Sequence, residues 1–238
     1  MSLPPLDRAA LLLDLDGTLI DIAPTPDSVV VPPGLRDTLL TLRGQLSGAL
    51  AIISGRPVED VDALLPGVAS AVAGEHGAAL RPALGADILR RDLPLPPNGW
   101  LETAEAAVAR HPGALLERKS RGFVLHFRLA PDAGPALRAA IAPLVKADPR
   151  FEIMPASMAW EVRAVGVDKG AAVRAVMALE AFAGRLPIFI GDDITDQDGI
   201  TAAQALGGVG FLVAKRFTNP EGVRAWLRAS AQQAEFQS

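Results

Sequence analysis

Acidic side chains follow a hydrophobic segment near the start of this chain, at the point where a buried strand would end. Asp14 and Asp16 come directly after "ALLL" and are followed by Gly17 and Thr18. Residues i and i+2 of a strand share a face, so we expect both carboxylates to point the same way. Like charges at close range oppose each other's ionisation, a cost that a bound cation or a proton transfer would offset.

Three further segments carry residues of the same chemical kind. Ser54-Gly55-Arg56 follows the apolar segment "ALAII", Asp168-Lys169-Gly170 opens a helical stretch, and the acidic segment "GDDITD" at 191–196 follows "LPIFI". We expect all four groups at the ends of parallel strands, because ligands of open α/β sheets bind beyond the carboxyl ends of the strands.

Carboxylates, a hydroxyl group, an ammonium group and glycines form a set that suits phosphoryl transfer. Carboxylates hold a hard cation such as Mg²⁺, while hydroxyl, ammonium and backbone N–H groups surround phosphoryl oxygens. A carboxylate can also be the nucleophile. Each group has a structural alternative: Ser54 as a helix N-cap, Lys169 as a solvated side chain, and "GDDITD" as a capping box. Their joint occurrence in this order favours the chemical interpretation.

The hydrophobic pattern predicts an α/β fold with an inserted domain. At both ends of the chain, strands that are apolar throughout alternate with amphipathic helices, which indicates a parallel sheet covered on both faces. The middle strands alternate instead, around a turn at Ser120–Gly122, which is typical of an antiparallel sheet with helices on one face. The domains predicted are a core of residues 1–96 and 167–238 and an α+β domain of residues 97–166.

Composition excludes several classes of function. The 238 residues have a net charge of −4, so the chain lacks the excess of positive charge that is typical of proteins that bind nucleic acid or an anionic membrane. Cysteine is absent, and the three histidines are too far apart for a zinc motif. The first segment fits neither a signal peptide nor a membrane span. We therefore expect a monomeric cytoplasmic protein that acts on a small molecule.

The order of the four groups resembles that of the haloacid dehalogenase superfamily of phosphotransferases. The resemblance covers essentially the whole chain and implies a Rossmannoid parallel-sheet core, with residues 97–166 as the larger α/β type of cap. It also implies an aspartyl-phosphate intermediate and a Mg²⁺ cofactor. The implied roles are Asp14 as nucleophile, Asp16 as general acid and base, Ser54, Gly55 and Lys169 as phosphate ligands, and Asp14, Asp16, Asp192 and Asp196 at the metal.

The segments "SGRPVEDV", "GEHGA", "ERKSRGFVLHFR", "WEVRAVGVDKG" and "GDDITDQDG" are similar to those of the trehalose-6-phosphate phosphatase family. That resemblance implies hydrolysis of trehalose 6-phosphate to trehalose and phosphate, in trehalose biosynthesis. It implies a sugar site on the cap, and Arg56 and His76 are expected in the cleft. The implied sugar ligands are Glu117, Lys119 and Glu161. The sequence departs from the family pattern at Gln197, where Glu is usual, and near Ser157, where a basic residue is usual.

Other functions remain open at this stage. A related phosphatase, of the sucrose-phosphate or glucosylglycerol-phosphate type, would share the core and differ in the cap. A phospho-receiver module also uses an acidic cluster with a hydroxyl group and a lysine, but Asp16 and the inserted domain argue against it. A binding protein without catalysis would be expected to lack Asp14 or Asp16.

Overall fold

The computed structural model describes residues 3–25, 28–119 and 121–236. The chain divides into two compact units, the first formed by Met1–Arg90 and Asp168–Ser238 and the second by Arg91–Val167. The domain predicted at 97–166 falls inside the second unit. Its role as a cap that sets substrate specificity stays a prediction.

Strands and helices alternate along the chain, as the hydrophobic pattern predicts. The strands are β1 Ala9–Leu13, β2 Leu50–Ile53, β3 Ala71–Gly74, β4 Ala79–Arg81, β5 Leu89–Arg90, β6 Leu115–Arg118, β7 Phe123–His126, β8 Phe151–Ala156, β9 Ala159–Ala164, β10 Leu186–Gly191 and β11 Val209–Leu212. The helices are α1 Leu35–Gln45, α2 Val58–Leu64, α3 Asn98–Ala109, α4 Gly134–Ala147, α5 Lys169–Met177, α6 Asp196–Ala205, α7 Val213–Arg216 and α8 Pro220–Gln233. No helix within the described ranges has the length and apolar character needed to cross a bilayer.

The first unit is built on a sheet of order β11-β10-β1-β2-β3-β4-β5. Neighbours from β11 to β3 are parallel, and β1, β2 and β3 are buried along their whole length, which confirms the predicted parallel sheet. The antiparallel pairs that add β4 and β5 were not predicted from the sequence. Leu35, Leu39 and Leu42 of α1 are buried at the helical spacing seen in the sequence.

Three of the four chemical groups follow parallel strands. Asp14 follows β1, Ser54 follows β2 and Asp192 follows β10. The prediction was wrong for the group at Asp168, because the preceding strand, β9, belongs to the antiparallel sheet of the second unit. Asp168 is the N-cap of α5, where its side chain accepts a hydrogen bond from the backbone of Ala171 at 2.7 Å. Lys169 is therefore placed by a helix N-terminus.

The second unit is an antiparallel sheet of order β6-β7-β9-β8 with its own core. Phe123, Leu125 and Val162 are fully buried, in a cluster that includes residues of α3 and α4. On the opposite face, Val124 pairs with Glu117 of β6 and with Glu161 of β9, so the two glutamates lie in one row across the sheet.

The opposite face is not the freely solvated surface that the alternation suggests. Glu161 and Arg163 are buried. The predicted alternation ends with strand β7 at His126, and Leu129 beyond it is exposed. In the hairpin between β6 and β7, the Lys119 amide donates to the Gly122 carbonyl at 3.0 Å. Ser120, which the predicted turn includes, lies outside the described residues.

Candidate active site

A buried lysine joins two of the predicted site carboxylates. Lys169 Nζ, at the first residue of α5, donates to Asp14 Oδ1 at 2.7 Å and to Asp196 Oδ1 at 2.6 Å. All three side chains are almost fully buried. Thr18 Oγ1 donates to Asp14 Oδ2 at 3.0 Å, so each oxygen of the Asp14 carboxylate accepts a hydrogen bond. Thr18 belongs to the first acidic motif, and its hydrogen bond to Asp14 was not predicted from the sequence.

Three acids form a cluster that is capable of binding a metal ion. Asp14, Asp192 and Asp196 each offer one carboxylate oxygen, and these atoms lie within 4.8 Å of one another. Asp196 is oriented by the Asp193 amide, which donates to its Oδ2 at 2.9 Å. Oxygen donors of this kind suit a hard divalent cation. Asp16, which was also predicted at the metal, is not part of this cluster.

The electrostatics of the cluster show an excess of negative charge. Burial raises the pKa of Asp14 well above its usual range, and Asp196 and Asp192 add to this effect while Lys169 opposes it. Burial, together with Asp196, raises the pKa of Asp192 to about 6. For Lys169, burial lowers the pKa, but the charges of Asp14 and Asp196 outweigh burial and raise it above the ordinary value. One ammonium group therefore balances the three carboxylates only in part, and a divalent cation would complete the compensation.

Asp16 has a different cation as its partner. The Arg56 guanidinium donates through Nε to Asp16 Oδ2 at 2.6 Å and through Nη2 to Asp16 Oδ1 at 2.7 Å. Because β1 ends at Leu13, the strand geometry expected for Asp14 and Asp16 does not continue through them. Each carboxylate is held by its own cation. Arg56, expected as a substrate ligand, thus contacts the predicted general acid.

Ser54 does not serve as the helix cap that the structural alternative suggested. The N-cap of α2 is Pro57, without a side-chain hydrogen bond. Ser54 Oγ instead accepts a hydrogen bond from the Arg56 amide at 3.1 Å. His76 follows β3, is buried, and donates its backbone N–H to the Ser54 carbonyl at 2.9 Å. The structure therefore brings Ser54, Arg56 and His76 together at the ends of neighbouring strands.

Glycines allow these side chains to approach the backbone closely. A Cβ atom on Gly17 would lie 2.1 Å from Asp192 Oδ2, and Gly17 also has a φ of +78°. A Cβ atom on Gly191 would lie 2.2 Å from Asp196 Cγ, and one on Gly55 would lie 2.8 Å from His76 Nε2. Distances this short exclude any side chain at these positions unless the acids and the histidine move.

The second unit brings its three predicted sugar ligands together on one sheet face. Lys119 Nζ donates to Glu161 Oε1 at 2.9 Å, and both side chains are nearly buried. Glu117 Oε2 lies 2.7 Å from the Nε2 atom of His126, which was not among the predicted site residues.

A basic side chain also reaches the position where the sequence departs from the family pattern. Arg128 Nη2 donates to the backbone oxygen and to the Oγ atom of Ser157, at 3.0 Å and 3.1 Å. The contact of Arg128 with Ser157 could not be seen from the sequence pattern.

Comparison with known proteins shows the family. The family model described as trehalose-phosphatase matches residues 12–224. The chain belongs to the trehalose-phosphatase family. It is 36% identical over 209 residues to the trehalose-6-phosphate phosphatase of Escherichia coli strain K12, covering 85% of this chain and 76% of the relative. As a member of the trehalose-phosphatase family, the chain is a phosphatase, a phosphoric monoester hydrolase, as the sequence predicted.

Solved structures support the fold of this trehalose-phosphatase family member. The C-terminal domain of the C. albicans trehalose-6-phosphate phosphatase superposes with a TM-score of 0.81 at 19% identity, covering 95% of this chain and 92% of that one. A haloacid dehalogenase-like hydrolase from Bacteroides thetaiotaomicron gives a TM-score of 0.62 at 14% identity, covering 93% and 99%. The predicted haloacid dehalogenase-like core is thereby confirmed.

Replacement of Gly17 by alanine tests the close approach of Asp192. We expect Gly17→Ala to lower phosphate release by at least about 100-fold, because displacement of catalytic groups by about 1 Å has effects of this size. Gly34→Ala is the matched control, since Gly34 has a φ of +77° with nothing within 4 Å of its Cβ position. Wild-type turnover in Gly17→Ala would show that the position of Asp192 is not critical.

The raised pKa of Asp192 predicts a pH effect on the metal-free protein. Folded Asp192 retains its proton up to about pH 6, whereas the unfolded group loses it near 3.8, so folding stability falls as pH rises through this window. The loss is at most about 3 kcal/mol. In chelator, Asp192→Asn should therefore gain thermal stability relative to wild type between pH 4 and pH 7. The thermal stability of the exposed control Asp198→Asn should change with pH as that of wild type does. If the stability of Asp192→Asn changes with pH in the same way as wild type, the prediction is contradicted.

Proposed function

We propose that this phosphatase hydrolyses trehalose 6-phosphate to trehalose and phosphate, with Mg²⁺ as its cofactor. The observation that carries the proposal is the buried Asp14, held by Lys169 and Thr18 beside two further acids, in a chain of the trehalose-phosphatase family. The substrate is a small sugar phosphate, and the product places the reaction in trehalose biosynthesis.

Asp14, Asp192 and Asp196 are the residues that would hold Mg²⁺. Their carboxylate oxygens are the donors this ion prefers, and their negative charge exceeds what Lys169 balances. Bound Mg²⁺ would neutralise negative charge on the carboxylates and on the phosphoryl group.

Asp14 is the proposed nucleophile. Lys169 and Thr18 each hold one of its oxygens, which fixes the carboxylate plane for attack on phosphorus. The new bond joins an Asp14 oxygen to phosphorus while the bond from phosphorus to the sugar oxygen breaks. Ser54, Gly55 and Lys169 surround the transferred group, which leaves an aspartyl-phosphate on Asp14.

Asp16 is the proposed general acid and base. It donates a proton to the departing sugar oxygen, and then accepts one from the water molecule that hydrolyses the aspartyl-phosphate. Arg56 holds both oxygens of Asp16, so it sets the orientation of this carboxylate.

Sugar recognition is assigned to the second unit. Glu117 and Glu161 lie in one row, and ionised carboxylates accept hydrogen bonds from several hydroxyl groups of a sugar. Lys119 is held by Glu161 and supplies donors. Arg56 and His76 are further candidates for substrate contact in the first unit.

Phosphate release from a panel of sugar phosphates tests the proposal. The panel contains trehalose 6-phosphate, sucrose 6-phosphate, glucose 6-phosphate and glucosylglycerol phosphate, each with Mg²⁺ and with chelator. We expect release from trehalose 6-phosphate that Mg²⁺ supports and chelator removes. Preference for another sugar phosphate would mean that the protein is a related phosphatase with a different substrate. Activity that persists in chelator would mean that Mg²⁺ is not required.

The sugar assignment predicts a selective effect of Glu117→Ala. Loss of a hydrogen bond to a charged group lowers binding by about 1.5–3 kcal/mol, so kcat/KM for trehalose 6-phosphate should fall roughly 10- to 100-fold. Turnover of a small aryl phosphate, which lacks the sugar, should stay close to wild type. Glu105→Ala is the control, because Glu105 is an exposed glutamate on α3 of the same unit. Equal losses on both substrates would exclude Glu117 from the sugar site.

A further inference from the structure

His126 contacts Glu117 across two strands of the second unit. In the register of β6 and β7, Glu117 lies opposite Val124 and Leu115 lies opposite His126, so His126 is the diagonal neighbour of Glu117 on one face. The Nε2 atom of His126 and the Oε2 atom of Glu117 are 2.7 Å apart, and about a quarter of each side chain is exposed. The contact is short and partly shielded from water.

The two glutamates of the row are held in different ways. Glu161 is bound by the ammonium group of Lys119, and both side chains are less than a tenth exposed. Glu117 is more accessible and is bound by an imidazole ring. Val124 lies between them in the register of the sheet and is itself buried. The two carboxylates of the row therefore contact different side chains, Lys119 for Glu161 and His126 for Glu117.

We infer that His126 is a positioning residue, which holds the Glu117 carboxylate in the orientation that receives the sugar hydroxyls of the substrate. The inference rests on the proposed function. A glutamate side chain has several free torsions, and a ring fixed on a neighbouring strand restricts them before substrate arrives. The contact engages Oε2 of Glu117, and a carboxylate has further acceptor capacity for a hydroxyl group.

The charge state of Glu117 agrees with this role. Burial would raise its pKa, but the hydrogen bond from His126 and the charge of Lys119 outweigh burial and lower the pKa. An ionised carboxylate only accepts hydrogen bonds, so the Nε2 atom of His126 carries the hydrogen of this contact. Glu117 is thereby kept as an acceptor, which is what hydroxyl recognition requires.

A double-mutant cycle separates positioning from direct contact. The variants are His126→Phe, Glu117→Ala and the double variant, each assayed with trehalose 6-phosphate and with a small aryl phosphate. We expect His126→Phe to raise KM for trehalose 6-phosphate about tenfold with little change in kcat, the size of one hydrogen bond to a charged group. In the Glu117→Ala background the same change should add less than about twofold, because the two residues act as one unit.

Two further variants complete the design. His126→Gln keeps an amide donor, so it should reverse most of the rise in KM that His126→Phe causes. His111→Phe is the matched control, since His111 is another histidine of the second unit and has no assigned role. Unchanged aryl phosphate turnover and an unchanged unfolding temperature show that the variants fold.

The outcomes are distinct. If the effects of the two single changes on KM multiply in the double variant, His126 contacts the sugar itself, and the inference is overturned. A wild-type KM in His126→Phe would mean that His126 has no role, which also overturns it. Equal losses on both substrates would make His126 structural and also overturn it. If the wild-type protein releases no phosphate from trehalose 6-phosphate, the proposed function fails and the inference fails with it. If the wild-type protein hydrolyses trehalose 6-phosphate but the double-mutant cycle shows no coupling between His126 and Glu117, the inference fails and the proposed function stands.

Discussion

The site depends on one buried ammonium group. Lys169 lies between Asp14 and Asp196, and without its charge these two buried acids and the partly buried Asp192 would form a cluster with no cation of its own. Removing one partner of a buried ion pair leaves an uncompensated charge, which costs several kcal/mol. The lysine donates a hydrogen bond to Asp14, and the remaining negative charge would attract a divalent cation. The same interaction therefore supports folding and prepares the site for an anionic substrate.

The fold brings these groups together from distant parts of the chain. β1 and β10 are parallel neighbours, so Asp14 and Asp192 leave the sheet at the same edge although 178 residues separate them. Helices α5 and α6 begin near this edge and supply Lys169 and Asp196. Gly17 and Gly191 permit the close approach of the acids. The second unit has its own core, so its polar sheet face can vary without disturbing this arrangement.

Much of this arrangement could be predicted from the sequence, because apolar runs and glycines are local signals. The parallel strands and the antiparallel middle sheet both follow from residue periodicity. Side-chain partners could not be predicted in this way. The contact of Arg56 with Asp16 and that of His126 with Glu117 depend on strand register and rotamers, which periodicity does not specify. Strands β4 and β5 were missed because segments of two or three residues carry too little pattern.

The most direct test of the account is whether Asp14 becomes phosphorylated during turnover. Protein mixed with trehalose 6-phosphate carrying a radioactive phosphoryl group would be quenched in acid within milliseconds, and the label on the chain measured. The account predicts covalent label that hydroxylamine removes, located in the peptide that contains Asp14, and neither label nor turnover in a folded Asp14→Asn variant. Turnover by wild type without any trapped label, or normal turnover by Asp14→Asn, would contradict the assignment of Asp14 as the nucleophile.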